Sequence, residues 1–208
     1  MDQIKTVSTK EIIFNVAVDL FSEKGYSNVS MREIAHAVGI KASSLYKHYE
    51  SKEDLLESIF AFFKSNLDST NLPVEGLEQY LRNVTPEEYL NQSFLMFKQV
   101  MWNPAIMKIA KIINMEQQRN QSVRQFFAEE LIEKPFQITK LGFDIMLENG
   151  LIAPVDTAVA AEEYNAYIIY LYFEQNFLKD EPDMEEIEKR MLLHNRFFAN
   201  HILRKGGK

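Results

Sequence analysis

Between Lys41 and His48 the chain reads Lys-Ala-Ser-Ser-Leu-Tyr-Lys-His: two ammonium groups, two hydroxyls, a phenol and an imidazole, with no acid among them. Those types suit the donation of hydrogen bonds and positive charge to phosphates and base edges. If Leu45 and Tyr49, four apart, turn inward on a short helix, the outer side is Lys41, Ala42, Ser43, Ser44, Tyr46, Lys47 and His48. Small side chains at 42 to 44 would let the backbone come close to a groove. Lys52 opens the next helix, whose free N–H groups form a natural phosphate seat. A short Lys/Ser-rich helix is also, and more often, a plain solvated face, so charge alone leaves both readings open.

Other chemistries find less support. With no cysteine, disulfides, thiolate nucleophiles and Cys-ligated metals are excluded. Glu33-x-x-His36 has the spacing of half a di-iron motif, but that site needs a second copy and further glutamates. His194 and His201 stand two helical turns apart, about 10 Å, too far to share an ion. No catalytic residue, metal or cofactor is therefore expected. Three classes remain: a nucleic-acid reader, an all-helical enzyme and a helical protein-interaction adaptor. The enzyme lacks a paired-acid motif in a recognisable context.

A composition 46% apolar and 25% charged is that of an ordinary globular protein. No apolar run approaches the ~20 residues of a membrane span. The start, Met1-Asp-Gln-Ile-Lys, has no apolar leader, so a cytoplasmic protein without membrane contact is expected. The net charge of −7 seems to oppose nucleic acid, yet residues 1–52 carry a net of +1 and the remainder −8. A phosphate-binding face remains possible on the smaller part if its cations gather on one side.

The elements that would position these residues announce themselves by their caps. Ser8-x-x-Glu11, Ser30-x-x-Glu33 and Ser51-x-x-Asp54 have the form of capping boxes; Val7 with Ile12 and Val29 with Ile34 fit a hydrophobic staple. Thr85-Pro86-Glu87-Glu88 and Asp183-x-x-Glu186 open two more helices. Ile13, Val16, Ala17, Leu20 and Phe21 make one buried stripe on a helix from about Thr9 to Lys24. Met31, Ile34, Ala35 and Val38 do so on a second, stopped by Gly39. A third covers about Ala42 to Tyr49, and Ser51 caps a long fourth. Two short helices after a supporting one make a helix-turn-helix, whose second member reads the major groove. Further helices are expected at 74–82, 86–101, 104–118, 121–149 with a kink or split at Pro135, 156–179 and 183–203.

Residues 9–56 resemble the DNA-binding domain of TetR-family bacterial regulators. The match is carried by Ala17-x-x-Leu20-Phe21-x-x-x-Gly25-Tyr26, by Ser30-Met31-Arg32-Glu33-Ile34-Ala35-x-x-x-Gly39-Ile40, and by Ser44-Leu45-Tyr46-x-His48-Tyr49-x-Ser51-Lys52-Glu53-x-Leu55-Leu56. The run Lys41-Ala42-Ser43-Ser44 departs from the family's usual Ser-x-Gly/Pro opening, which bears on base preference. The resemblance implies an all-α fold of about nine to ten helices. Its parts would be a three-helix DNA-binding domain over 1–52 and a ligand-binding, dimerising domain over 53–208.

It implies further that Ser30, Arg32, Ser44, Tyr46 and Lys52 hold phosphate, while Lys41, Ala42, Ser43, Lys47 and His48 lie in or beside the groove. The helix near 158–178 is apolar on nearly all sides, and the resemblance implies that it pairs with its equivalent in a homodimer across a two-fold axis. Such a dimer suits a palindromic operator with recognition helices about 34–36 Å apart. Phe94, Phe97, Met101, Trp102, Met107, Phe126, Phe127, Phe143 and Met146 read first as core. They read also as an effector cavity of soft and flat side chains, with Tyr164 and Tyr167 as polar tips. The expected function is a ligand-responsive regulator, a repressor released by an unknown small molecule that displaces the helix beginning at Lys52.

Overall fold

The computed structural model describes residues 8–69, 76–179 and 181–203, and among these all regular structure is helical. The elements run α1 (Thr9–Lys24), a 3-10 turn (Tyr26–Asn28), α2 (Met31–Val38), α3 (Ala42–Leu45), α4 (Lys52–Asp68), α5 (Leu77–Leu81), α6 (Pro86–Met101), α7 (Pro104–Glu116), α8 (Gln121–Phe127), a π turn (Ala128–Glu133), α9 (Lys134–Glu148), α10 (Thr157–Phe177) and α11 (Met184–His201). Val7, of the first staple, and residues 74 and 75 lie outside the described residues.

The caps explain the boundaries. Ser8, Ser30 and Ser51 accept the N–H of Glu11, Glu33 and Asp54 at 3.2, 3.2 and 3.1 Å. Thr85 and Glu88 close a full reciprocal box, with Thr85 N–H on Glu88 Oε2 at 2.7 Å and Glu88 N–H on Thr85 Oγ1 at 3.2 Å. Glu33 also pairs with Lys24, and Asp54 takes the N–H of Glu50 at 2.9 Å. Pro135 falls in the first turn of α9. Proline lacks the N–H that would reach the carbonyl of residue 131, and the long segment relaxes there into a π turn between α8 and α9.

Packing divides the chain into two units: residues 1–69 with 99–128, and 70–98 with 129–208. By packing, α4, α7 and α8 belong with α1, α2 and α3. In the first unit α1 packs on α2, α4 and α7. Ile13, Ala17, Phe21, Ile34, Leu45, Leu55, Ile59 and Phe63 are fully or almost fully buried. Val16 and Leu20 of the expected stripe are half-buried, and Val18 is buried in their company.

The second unit buries Leu81, Leu90, Phe143, Met146, Ala161, Tyr164 and Phe198 in one cluster. Phe143 stacks on Phe198 with centroids 6.0 Å apart, and Tyr164 meets Phe198 edge-on at 5.4 Å. α9 approaches α6 through Gly142: a Cβ there would clash with Tyr89 Oη and stand 2.8 Å from Cζ. Tyr89 is itself buried, which pushes its phenol up to about 12. Glycine to alanine inside a helix ordinarily adds roughly 0.5–1 kcal/mol. At Gly142 the sign should reverse, with a loss of about 1–3 kcal/mol from overpacking. A lowered denaturant midpoint at unchanged slope is the expected measurement.

α10 is less enclosed than expected. Tyr164 and Leu171 are buried, but Val159, Tyr170 and Phe173 are exposed, as are Leu193 and Phe197 on α11. Between these helices His194 stacks on Tyr167 at 4.2 Å and on Tyr164 at 5.3 Å, and its buried Nε2 has no hydrogen-bond partner among the described residues. Burial holds its pKa below the ordinary value, against the opposing effect of a backbone hydrogen bond at Tyr164. The neighbouring cation, Arg190, reaches Tyr167 Oη at 3.4 Å. The unfolded chain therefore takes up the proton first. The contribution is complete above the unfolded pKa of about 6.5 and is lost as pH falls from there through the lower folded value. The melting temperature should drop between pH 7.5 and 5.5, and His194→Phe should flatten that slope.

Candidate nucleic-acid interface

The surface is built from the turn outward. Gly39 ends α2 with φ +77°, a left-handed conformation that glycine adopts freely. Ile40 N–H then bonds back to Ala35 O at 3.0 Å, completing a Schellman-type stop. Lys41 caps α3 in an extended conformation. α3 is shorter than the expected Ala42–Tyr49. It ends at Leu45, and the chain tightens so that His48 N–H bonds Leu45 O at 2.9 Å. This tight last turn brings Tyr49 inward before the extended Ser51 caps α4.

Leu45 is fully buried and Tyr49 nearly so; these two anchors hold α3 against the unit. Around them, Ser30, Arg32, Lys41, Ser43, Tyr46 and Lys47 are exposed, and Ala42, Ser44 and His48 are half-buried. Tyr46 keeps 49% of its surface. Among the described residues, no ion pair or side-chain hydrogen bond occupies Arg32, Lys41 or Lys47. Ser30 uses its oxygen as the α2 cap and retains its O–H. One cation not foreseen joins the end of α3: Lys10 lies 5.2 Å from the Tyr49 ring centroid.

Lys52 is used differently from the expectation. Its ammonium donates to Tyr26 O at 2.9 Å and Val29 O at 3.0 Å, and sits 4.1 Å from the Tyr26 ring centroid. The side chain is a brace between α4 and the approach to α2. What position 52 offers outward is its backbone N–H in the first turn of α4. Glu33, the acid of the Glu-x-x-His spacing, pairs with Lys24.

The residues read as an effector cavity are divided between the two units. Phe94, Phe143, Met146 and Tyr164 are buried in the second unit, where Phe97 and Tyr167 are half-buried. Met101, Trp102, Met107 and Phe127 belong to the first unit and are half-buried there. Phe126 serves as core, stacked on Phe60 of α4 at 4.7 Å.

The reading by motif missed one group, centred on Tyr26. Its N–H donates to Glu116 Oε1 at 3.0 Å and its hydroxyl to Glu53 Oε1 at 3.1 Å. A signal existed: Ile109, Ile112, Ile113 and Glu116 follow i, i+3, i+4, i+7, which places an acid on the buried stripe of α7.

Residues 13–59 match a family described as bacterial regulatory proteins, tetR family. Among curated proteins, the chain is 38% identical over 79 residues to the biofilm operon icaADBC HTH-type negative transcriptional regulator IcaR of Staphylococcus epidermidis. That alignment spans 35% of this chain and 43% of that protein. It is 24% identical over 191 residues to the HTH-type transcriptional regulator AcrR of Shigella flexneri, across 79% of this chain and 89% of that one. Among solved structures, AibR in complex with isovaleryl coenzyme A and operator DNA shares the fold, with a TM-score of 0.62 and 21% identity over 89% of this chain and 96% of that one.

Proposed function

Since the chain belongs to the tetR family of bacterial regulatory proteins, we propose that it is a ligand-responsive transcriptional regulator. In this reading it is a repressor that binds a palindromic operator as a homodimer and is released by a small-molecule effector. The observation that carries the reading is the acid-free outer side of residues 41–48, held outward by two buried anchors, Leu45 on α3 and Tyr49 one turn beyond it.

Ser30, Arg32, Ser44 and Tyr46 hold phosphate, and position 52 does so through its backbone N–H. Lys41, Ala42, Ser43, Lys47 and His48 face the groove. The exposed Val159, Tyr170, Phe173, Leu193 and Phe197 meet their equivalents in a second copy. Phe94, Phe97, Met101, Trp102, Met107, Phe127, Phe143, Met146, Tyr164 and Tyr167 are the candidates for contact with the effector. The relatives named above are regulators of transcription, and the reading gives this chain no catalytic role. Among the described residues no helix is long and apolar enough to cross a membrane, which agrees with a cytoplasmic regulator.

Selection of bound duplexes from a random pool tests the reading. The expected product is a palindrome with half-site centres one helical turn apart, bound with an affinity that falls steeply as salt rises. Recovery of no duplex above background would overturn it.

A further inference from the structure

The site at Tyr26 holds a buried acid that the proposed function does not use. Glu116, at the C-terminal end of α7, is 4% exposed. Its Oε1 accepts the Tyr26 N–H at 3.0 Å, and Ser27 Oγ lies 3.4 Å from Oε2. The approach depends on Gly25, whose φ is +82°: a Cβ built there would already stand 3.4 Å from Oε1. Tyr26 is tied at the same time to α4, through Lys52 on its carbonyl and Glu53 on its hydroxyl.

Stability alone does not call for an acid here. Burying a carboxylate costs several kcal/mol, and an apolar residue of similar volume would continue the stripe of Ile109, Ile112 and Ile113. What the carboxylate adds is direction and distance, because a bond to a fixed backbone N–H tolerates a displacement of only a few tenths of an ångström. Asp19 with Lys108, a polar tie between α1 and α7, is half-exposed at both ends and correspondingly weak.

We propose that Glu116 is a positioning residue for DNA reading: it locks the end of α7 to the Gly25–Ser27 turn and so sets the angle at which the helix-turn-helix is presented. This rests on the reading of the head as a DNA binder. Movement of α7 then reaches α2 and α3 through this turn as well as through α4.

The full-length protein tests this through E116A and E116Q. Without DNA, amide hydrogen exchange over residues 25–29 should speed up by about tenfold or more in E116A, as expected for a lost buried bond. E116Q, whose amide oxygen still accepts, should stay within about threefold of wild type. With the selected palindrome, insertion or deletion of one base pair between half-sites should weaken wild type and E116Q by about tenfold or more, against less than about threefold for E116A. Affinity for a single half-site should not change. E116D keeps the charge but withdraws the oxygens by one methylene, and it carries the same expectation if E116A does not fold. Unchanged exchange or an unchanged spacing penalty, beside a wild type that selects its palindrome normally, overturns the role of Glu116 alone. A wild type that selects no duplex overturns the DNA reading and this proposal with it, while the exchange result still reports whether position 116 holds the turn.

Discussion

Replacing Leu45 by alanine is expected to destabilise the protein by about 2–5 kcal/mol and to abolish operator binding. The size of the effect comes from how little else holds the reading helix. α3 has four residues, too few to persist on its own hydrogen bonds. Leu45 is its only buried residue, with Tyr49 one turn beyond. Truncation removes three carbons from a site with no solvent access, bounded by α2 and the rest of the first unit. The cavity would be relieved by loosening α3, which moves every outward side chain from 41 to 48 at once. Chemical denaturation and a gel shift on the selected palindrome check the two parts. Full affinity at a lowered midpoint would mean that α3 is held by something other than its apolar anchor.

The second large effect concerns the outer face alone. Tyr46→Phe together with Lys47→Ala should weaken operator binding by roughly 100-fold, at about 1–3 kcal/mol for each contact removed. Both residues are exposed, so the melting temperature and the dimer should not change. The salt slope distinguishes the two roles. If the Lys47 ammonium touches phosphate, the slope of log affinity against log salt should fall by about one unit. If it reads a base edge, the loss should fall on one position of the selected sequence. Unchanged affinity in both single variants would move the reading face elsewhere.

Much of the architecture was legible because its signals are local. The five helix starts at Ser8, Ser30, Ser51, Thr85 and Asp183 each depend on side chains within four residues, and each cap forms. Gly39 and Pro135 mark their stops for the same reason. What the pattern could not supply is whatever depends on partners far along the chain. The bond from Tyr26 to Glu116 spans 90 residues. Lys52 looked like an outward cation because its receivers, the carbonyls of Tyr26 and Val29, have no signature in side-chain types. α3 was read too long because Tyr49 keeps helical spacing from Leu45 while the backbone between them tightens. The aromatic and methionine residues near Trp102 share a helical period, yet period alone does not say which unit a stripe joins.

The bare apolar strip on α10 and α11 has a consequence for dose. A lone copy leaves Leu193 and Phe197 more than half uncovered, so solitary chains gain by pairing or by adhering to other surfaces. If only the pair grips DNA, occupancy at scarce copy number rises with the square of the amount synthesised, where a one-chain binder would respond in proportion. Halving production would then cut occupancy about fourfold, and the controlled promoter would open over a narrower range of supply.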